Sequence, residues 1–199
     1  VVWEAFDVSD PMTVAAADLY ERTLDADERI PWMWIEQSVQ DRTKSKPRPG
    51  GWSRHLLLAA PDGKQDDPAS LAGYVYGALL PGYGGYLCYV GVAEWARRMG
   101  VGGRLYDQFF KVLRVDAGEL GEGLPFVIWE SHRPDPTATP AEWENWTART
   151  RLFDRDLHIV ATDRFAIAEN ANQRGCDSSC TDEGVAPAGR AASEQLFAC

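Results

Sequence analysis

The sequence has no long hydrophobic run and an excess of acidic residues, and each feature excludes a class of protein. No apolar segment approaches the roughly 18 residues that a membrane-spanning helix needs, so we expect no membrane-embedded part. The 199 residues carry 20 Lys and Arg against 30 Asp and Glu, a formal net charge of −10. Because so acidic a surface repels polyphosphates, nucleic acid is not expected as a partner.

Cysteine and histidine are also scarce, with 4 and 3 residues. Cys176 and Cys180 are close in sequence, but no second Cys or His pair accompanies them. We therefore expect no metal site. The chain begins without a basic segment followed by an apolar stretch, so no signal peptide is expected. These features together favour a cytoplasmic protein with reduced thiols.

The chain does have enough apolar material for one core, with 45% hydrophobic residues and 8 Trp. The periodicity of the apolar residues predicts an α+β fold. Three of its strands follow one another through short connections, which favours an antiparallel meander. We expect residues 1–168 to form a single domain and residues 169–199 a polar, poorly ordered C-terminal tail. The predicted segments are strand 1–7, helices 11–27 and 30–39, a loop 41–52, strands 55–60, 71–80 and 86–92, helix 104–115, strand 126–129, helix 141–153, and two weaker strands, 157–161 and 165–168.

The segment with the most chemical information is the Gly- and Arg-rich connection 97–104, which links an apolar strand to an amphipathic helix. The first backbone N–H groups of a helix have no partner within it, and the helix dipole adds positive charge there. Glycine lets the backbone approach an anion closely, so the segment predicts a phosphate site. The alternative is an ordinary strand-to-helix turn with surface arginines. Neither common phosphate loop fits, since Gly-Lys-Ser/Thr is absent and Leu105 stands where the dinucleotide fingerprint needs a third Gly.

The residues from Arg97 to Gly102 fit the pattern Arg/Gln-x-x-Gly-x-Gly/Ala. They resemble the acyl-coenzyme A signature of the GNAT acetyltransferase superfamily, and the similarity extends to the order of predicted elements over residues 3–168. The resemblance implies a GNAT-like mixed, mostly antiparallel central sheet flanked by helices. It also implies acetyl-CoA as co-substrate and direct attack by a primary amine, carried by a small molecule or a protein. Edge strands and 8 Trp are compatible with a homodimer in this family.

The resemblance further implies which residues bind the coenzyme. Backbone amides of the connecting loop would hold the pyrophosphate, and two valines of the preceding strand would bind the pantetheine arm. The amide of one of those valines would polarise the acetyl carbonyl and stabilise the oxyanion. The implied coenzyme-binding residues are Val90, Val92, Arg97, Arg98, Gly100, Val101, Gly102 and Gly103.

The acid that protonates the leaving thiolate is not marked by the expected residue. The family often places a Tyr on the helix that follows the fifth strand, after a stretch like Asn-x-x-Ala. Asn145 and Ala148 match that stretch, but Leu152 and Phe153 occupy the Tyr positions. Tyr89 is close to the motif in sequence, but nothing in the sequence places its hydroxyl at the sulfur.

The candidate base for the amine is Glu130, because a carboxylate beside Trp129 would have a raised pKa. His132 and Glu94 are further candidates, and each of these groups could instead cap a helix or pair with a surface Arg. His132 and His55 are each interpreted as a structural or exposed histidine rather than a catalytic one. Because no acid–base pair is evident, a non-catalytic coenzyme A-binding sensor or interaction module is the alternative function.

Overall fold

The computed structural model describes residues 1–44, 47, 50–129 and 134–153, all of which belong to one compact unit. The strands predicted at 157–161 and 165–168, and the tail 169–199, lie outside the described residues. The elements in chain order are β1 Val2–Glu4, α1 Pro11–Thr23, α2 Trp32–Lys44, β2 Ser53–Ala59, β3 Gly73–Leu80, β4 Gly84–Val92, α3 Val101–Glu119, β5 Val127–Trp129 and α4 Pro140–Phe153.

The five strands form one sheet in the order β1-β2-β3-β4-β5. Every neighbouring pair is antiparallel except β4 and β5, which run parallel. Short connections allow the antiparallel pairs, whereas α3 provides the crossover that a parallel pair requires. The predicted α+β fold with a mostly antiparallel sheet, and the meander of β2 to β4, are therefore confirmed.

Four helix boundaries differ from the prediction by three residues or more, and one of them is the end of the third helix, at Glu119 instead of residue 115. The first helix ends at Thr23, short of residue 27. The second continues to Lys44, into a segment predicted as a loop. Ion pairs from Arg42 to Glu4 and Asp116 hold this last turn against the rest of the fold. The third begins at Val101 instead of residue 104, since the glycines form its first turn.

The sheet has two covered faces because successive side chains of a strand alternate. On one face, the apolar stripe of α3 (Leu105, Phe109 and Leu113, all fully buried) packs over β3. On the other, the hydroxyl groups of Tyr74 and Tyr76 reach Thr23 of α1 and Ser38 of α2. The core thus lies on both sides of the central strands.

Replacing Gly77 of β3 by alanine is expected to destabilise the protein by about 1–3 kcal/mol through overpacking. A Cβ at this position would lie 2.4 Å from Phe109 Cζ and 2.4 Å from the carbonyl oxygen of Tyr86, so strand or helix must shift. Urea unfolding followed by Trp fluorescence measures the effect. The control is Gly118→Ala on α3, where nothing lies within 4 Å and no loss of stability is expected. Wild-type stability of Gly77→Ala would contradict the close packing of α3 on β3.

Candidate functional site

The sheet opens where β4 leaves β5. The pairing with β5 covers only Gly85–Leu87. The register of β4 against β3 shifts between Tyr76 and Gly77, which leaves Cys88 as an extra residue on β4. Such a bulge bends the strand and increases its twist. Within the described residues, the part of β4 beyond Leu87 has no strand beside it on the β5 side.

The bulge determines which backbone groups of β4 face this opening. The amide of Ala93 donates to the carbonyl oxygen of Ala72 at 2.9 Å. Because hydrogen-bonded and non-hydrogen-bonded pairs alternate along an antiparallel ladder, Gly91 also faces β3. The N–H and C=O groups of Val90 and Val92 therefore point away from β3, towards the opening.

The connection from β4 to α3 is a tightly curled loop. A short 3-10 helix, Glu94–Ala96, is followed by two residues in the left-handed region, Arg98 with φ 64° and Gly100 with φ 73°. That conformation is free for Gly but costs a residue such as Arg roughly 1–3 kcal/mol, and such strain is concentrated at functional sites. The buried Val101 fixes the start of α3 to the sheet, since its Cγ1 would lie 3.2 Å from a Cβ placed on Gly73.

The loop and the first turn of α3 present unpaired backbone donors. Within the described part of the chain, the amides of Gly100, Val101, Gly102 and Gly103 have no hydrogen-bond acceptor, whereas the amide of Arg104 donates to the Gly100 carbonyl at 3.2 Å. The positive end of the helix dipole acts at the same point. This arrangement suits an anion such as a phosphate.

Three arginines belong to the same segment and differ in what they contact. Arg97 is exposed. Arg98 is also exposed, and its Nη2 lies 3.7 Å from Oε1 of Glu144 on α4. Arg104 donates from Nη1 to the carbonyl oxygen of Met99 at 3.2 Å. Glu144 was not a sequence candidate, because its proximity to Arg98 depends on how α4 is placed and no local pattern marks it.

Tyr89 of β4, the tyrosine close to the motif, forms its hydrogen bond elsewhere. The hydroxyl of Tyr89 donates to the carbonyl oxygen of Glu28, between α1 and α2, at 3.1 Å. Burial raises the pKa of Tyr89, with neighbouring hydrogen bonds opposing the shift. The group is therefore a neutral phenol near pH 7, bonded to the α1–α2 connection.

The candidate base Glu130 and the alternative His132 lie outside the described residues. Glu94 is exposed at the start of the 3-10 helix that follows β4. Asn145 lies exposed on α4, and that helix ends at Phe153, as predicted.

His55 belongs to a buried ionic cluster at the other end of α3. Its Nδ1 lies 2.7 Å from Glu4 Oε1, and its Nε2 lies 3.1 Å from Asp116 Oδ2. Arg42 contacts Glu4 at 3.1 Å and Asp116 at 2.9 Å, and Ser53 donates to Asp116. At 1.5 Å per residue, Asp116 is about 22 Å along the helix from its first residue. The cluster is therefore structural, in agreement with the interpretation of His55.

Within the part of the chain that the structure describes, every helix is too short or too polar to span a membrane.

Comparison with known proteins gives a family match that spans α1 to α3 and includes the curled loop. A model described as the acetyltransferase (GNAT) family matches residues 12–119, more than half of the chain. No curated protein sequence matches significantly.

Solved structures with the same fold include a protein from Bacteroides thetaiotaomicron assigned to the GNAT family of acetyltransferases. It has a TM-score of 0.50 and 12% identity, covering 76% of this chain and 69% of that chain. A ribosomal-protein-alanine N-acetyltransferase from Brucella melitensis has a TM-score of 0.44 and 17% identity, covering 94% of this chain and 98% of that chain. An aminoglycoside 6'-N-acetyltransferase from Acinetobacter haemolyticus has a TM-score of 0.44 and 13% identity, covering 94% of this chain and 95% of that chain. At 12% identity, the similarity to the Bacteroides protein concerns the fold alone.

Proposed function

Since the chain belongs to the GNAT acetyltransferase family, we propose that it transfers an acetyl group from acetyl-CoA to a primary amine. One observation carries this proposal: the backbone donors of Val90 and Val92 face an opening in the sheet, and the same strand leads into the cluster of unpaired amides at the start of α3. A thioester held along the strand would have its phosphates at the loop. The acceptor amine belongs to a small molecule or a protein.

Direct attack by an amine requires the protein to stabilise charge at two places. Negative charge develops on the carbonyl oxygen as the carbon–nitrogen bond forms, and an N–H of Val90 or Val92 would donate to that oxygen. The attacking nitrogen becomes positive and must lose a proton, for which Glu130 is our candidate acceptor. The carbon–sulfur bond then breaks and the thiolate leaves, taking a proton from water or from a residue yet to be assigned.

The loop residues would hold the coenzyme. The amides of Gly100, Val101, Gly102 and Gly103 and the side chains of Arg97 and Arg98 are our proposed partners of the pyrophosphate. Unpaired amides at a helix N-terminus bind phosphate because they are already oriented and need no reorganisation. The positive charge of the loop also offsets the net charge of −10 on the whole chain.

A non-catalytic coenzyme A-binding module is the second candidate. The observation that favours it is the missing acid: Leu152 and Phe153 stand where the family often has Tyr, and the hydroxyl of Tyr89 donates to Glu28. The two candidates share the coenzyme site but differ in turnover. Release of free thiol from acetyl-CoA that depends on an added amine would support the enzyme. Coenzyme binding without such release, across an amine panel, would support the module.

Coenzyme A and acetyl-CoA are both expected to stabilise the protein against heat. A ligand at about 100 times its Kd adds about 2.7 kcal/mol, which for a chain of this size raises Tm by roughly 5–10 °C. Gly102→Asp should abolish the shift, because it places a carboxylate among the unpaired amides. The control is Gly118→Asp, which makes the same change at an exposed site on the same helix with no neighbour within 4 Å. A folded wild-type protein with no shift at millimolar ligand would overturn the proposal.

A further inference from the structure

The three arginines around the loop are not equivalent as phosphate ligands, and the difference points to the one outside the signature pattern. Arg97 and Arg98 are motif residues, whereas Arg104 lies one turn inside α3. The inference about Arg104 rests on the proposed function, because it adds a side chain to those that bind the coenzyme phosphates.

Arg98 is the motif arginine with a competing partner. Its side chain is 91% exposed, and its guanidinium is 3.7 Å from the carboxylate of Glu144. An exposed pair of this kind contributes about 0–1 kcal/mol to stability, yet it places a negative charge beside the guanidinium. Arg97 is exposed, and among the described residues no carboxylate lies within salt-bridge distance of it. Nothing described holds its side chain against the loop.

Arg104 is exposed like the other two arginines, but its side chain contacts the loop. Helical side chains lean towards the N-terminus of their helix, which brings this guanidinium back over the residues that precede α3. Its Nη1 donates to the Met99 carbonyl at 3.2 Å and lies 3.6 Å from the position that a Cβ on Gly100 would occupy. The guanidinium therefore sits beside the left-handed glycine whose own amide is unpaired.

Most of the hydrogen-bonding capacity of Arg104 is free. A guanidinium has five N–H donors, and one contact to Met99 is described. Among the described residues no carboxylate oxygen lies within 4.0 Å of it, so none of them forms an ion pair with its guanidinium. A cation fixed in advance loses less side-chain entropy on binding an anion than one that is free to rotate.

We propose that Arg104 is a coenzyme-binding residue that contacts the pyrophosphate. It closes the loop through the carbonyl of Met99 and offers its remaining N–H groups to the same anion as the amides of Gly102 and Gly103. The planar guanidinium can bind two phosphate oxygens at once, which an ammonium group cannot do. The side chain thus joins loop closure and phosphate binding in one group.

The test measures binding of coenzyme A, dephospho-coenzyme A and S-acetylpantetheine by calorimetry. Arg104→Ala is expected to weaken both phosphate-containing ligands by about tenfold or more, the effect of losing a charge-assisted hydrogen bond. S-acetylpantetheine, which has no phosphate, should bind the variant as it binds wild type. Arg114→Ala on the same helix is the control, because its guanidinium lies over the ring of Phe110, and its affinities should not change.

Two further variants separate charge from loop closure. Arg104→Lys keeps the positive charge, whereas Arg104→Gln keeps a donor for the Met99 carbonyl. Higher coenzyme affinity in the Lys variant than in the Gln variant, with a difference that shrinks at high salt, would support phosphate binding. Higher affinity in the Gln variant would overturn it and leave Arg104 a clamp of the loop.

The remaining outcomes are also distinguishable. If Arg104→Ala loses affinity for coenzyme A but not for dephospho-coenzyme A, Arg104 contacts the 3'-phosphate and the pyrophosphate assignment is overturned. Unchanged affinity of Arg104→Ala for both ligands would overturn the inference while leaving the proposed function intact. If wild type binds neither ligand, the proposed function itself fails.

Discussion

Replacing Val90 or Val92 by proline is expected to lower acetyl-CoA turnover by about 10²–10³-fold in one of the two variants, because each exchange removes a backbone N–H that faces the opening. Loss of a single oxyanion donor has an effect of this size when the donor is oriented in advance. The fold should survive both exchanges. Proline is tolerated in a strand where its N–H is not part of the ladder, and neither amide bonds to β3.

The controls separate the amide from the side chain. Val90→Ala and Val92→Ala keep the N–H and should turn over within a few-fold of wild type. Gly91→Pro removes a donor that faces β3, and it should lower the free energy of unfolding strongly. Steady-state rates and Tm are measured for the whole set. Wild-type turnover in both folded proline variants would exclude a backbone oxyanion donor on this strand.

The sequence predicted the loop and its setting because their signals are local. The spacing of Gly100 and Gly102, the apolar strand before them and the helical stripe beginning at Leu105 all lie within a short stretch of chain. Element order is equally local, since strand and helix periods are read in short windows. That is why the antiparallel meander could be predicted without any knowledge of distant contacts, whereas the mixed sheet was what the resemblance to GNAT acetyltransferases implied.

The features that could not be predicted depend on pairing between distant residues. The bulge that turns Val90 and Val92 towards the opening is a property of the register between two strands, and no residue type around Cys88 marks it. The same holds for the end of α2, where Arg42 meets Glu4. The contact between Arg98 and Glu144 likewise requires the placement of α4.

Replacing Asp116 by asparagine or alanine is expected to destabilise the protein by about 3–5 kcal/mol, the cost of removing one partner from a buried ionic cluster. Asp116 is 1% exposed and contacts Arg42, Ser53 and His55. Its loss leaves His55 and Arg42 with the carboxylate of Glu4 as their one remaining partner in the cluster. Urea unfolding gives the magnitude. Asp107→Asn, an exposed exchange on the same helix, is the control and should stay within about 0.5 kcal/mol of wild type.

The pH dependence of stability tests the same cluster. Burial alone would lower the pKa of His55, but hydrogen bonds to Asp116 and Glu4 outweigh it and raise the pKa. Burial would raise the pKa of Asp116, yet hydrogen bonds from His55 and Ser53 and the charges of His55 and Arg42 lower it. The contribution of His55 is therefore complete below its unfolded pKa of about 6.5 and is lost as pH rises through the folded value. The contribution of Asp116 to stability is complete above its unfolded pKa of about 3.9 and is lost as pH falls through its lower folded pKa.

Wild-type stability should consequently decline as pH rises above about 6.5, because His55 loses its proton. In Asp116→Asn one of the two carboxylates that raise the pKa of His55 is gone, so this decline should end at a lower pH and be smaller. Unfolding free energies measured from pH 5 to 9 decide the matter, with Asp107→Asn expected to follow the wild-type curve. If Asp116→Asn declines as wild type does, Asp116 does not contribute to the raised pKa of His55. If wild type itself does not decline, the pKa of His55 is not raised and the cluster is held by Arg42 and the carboxylates alone.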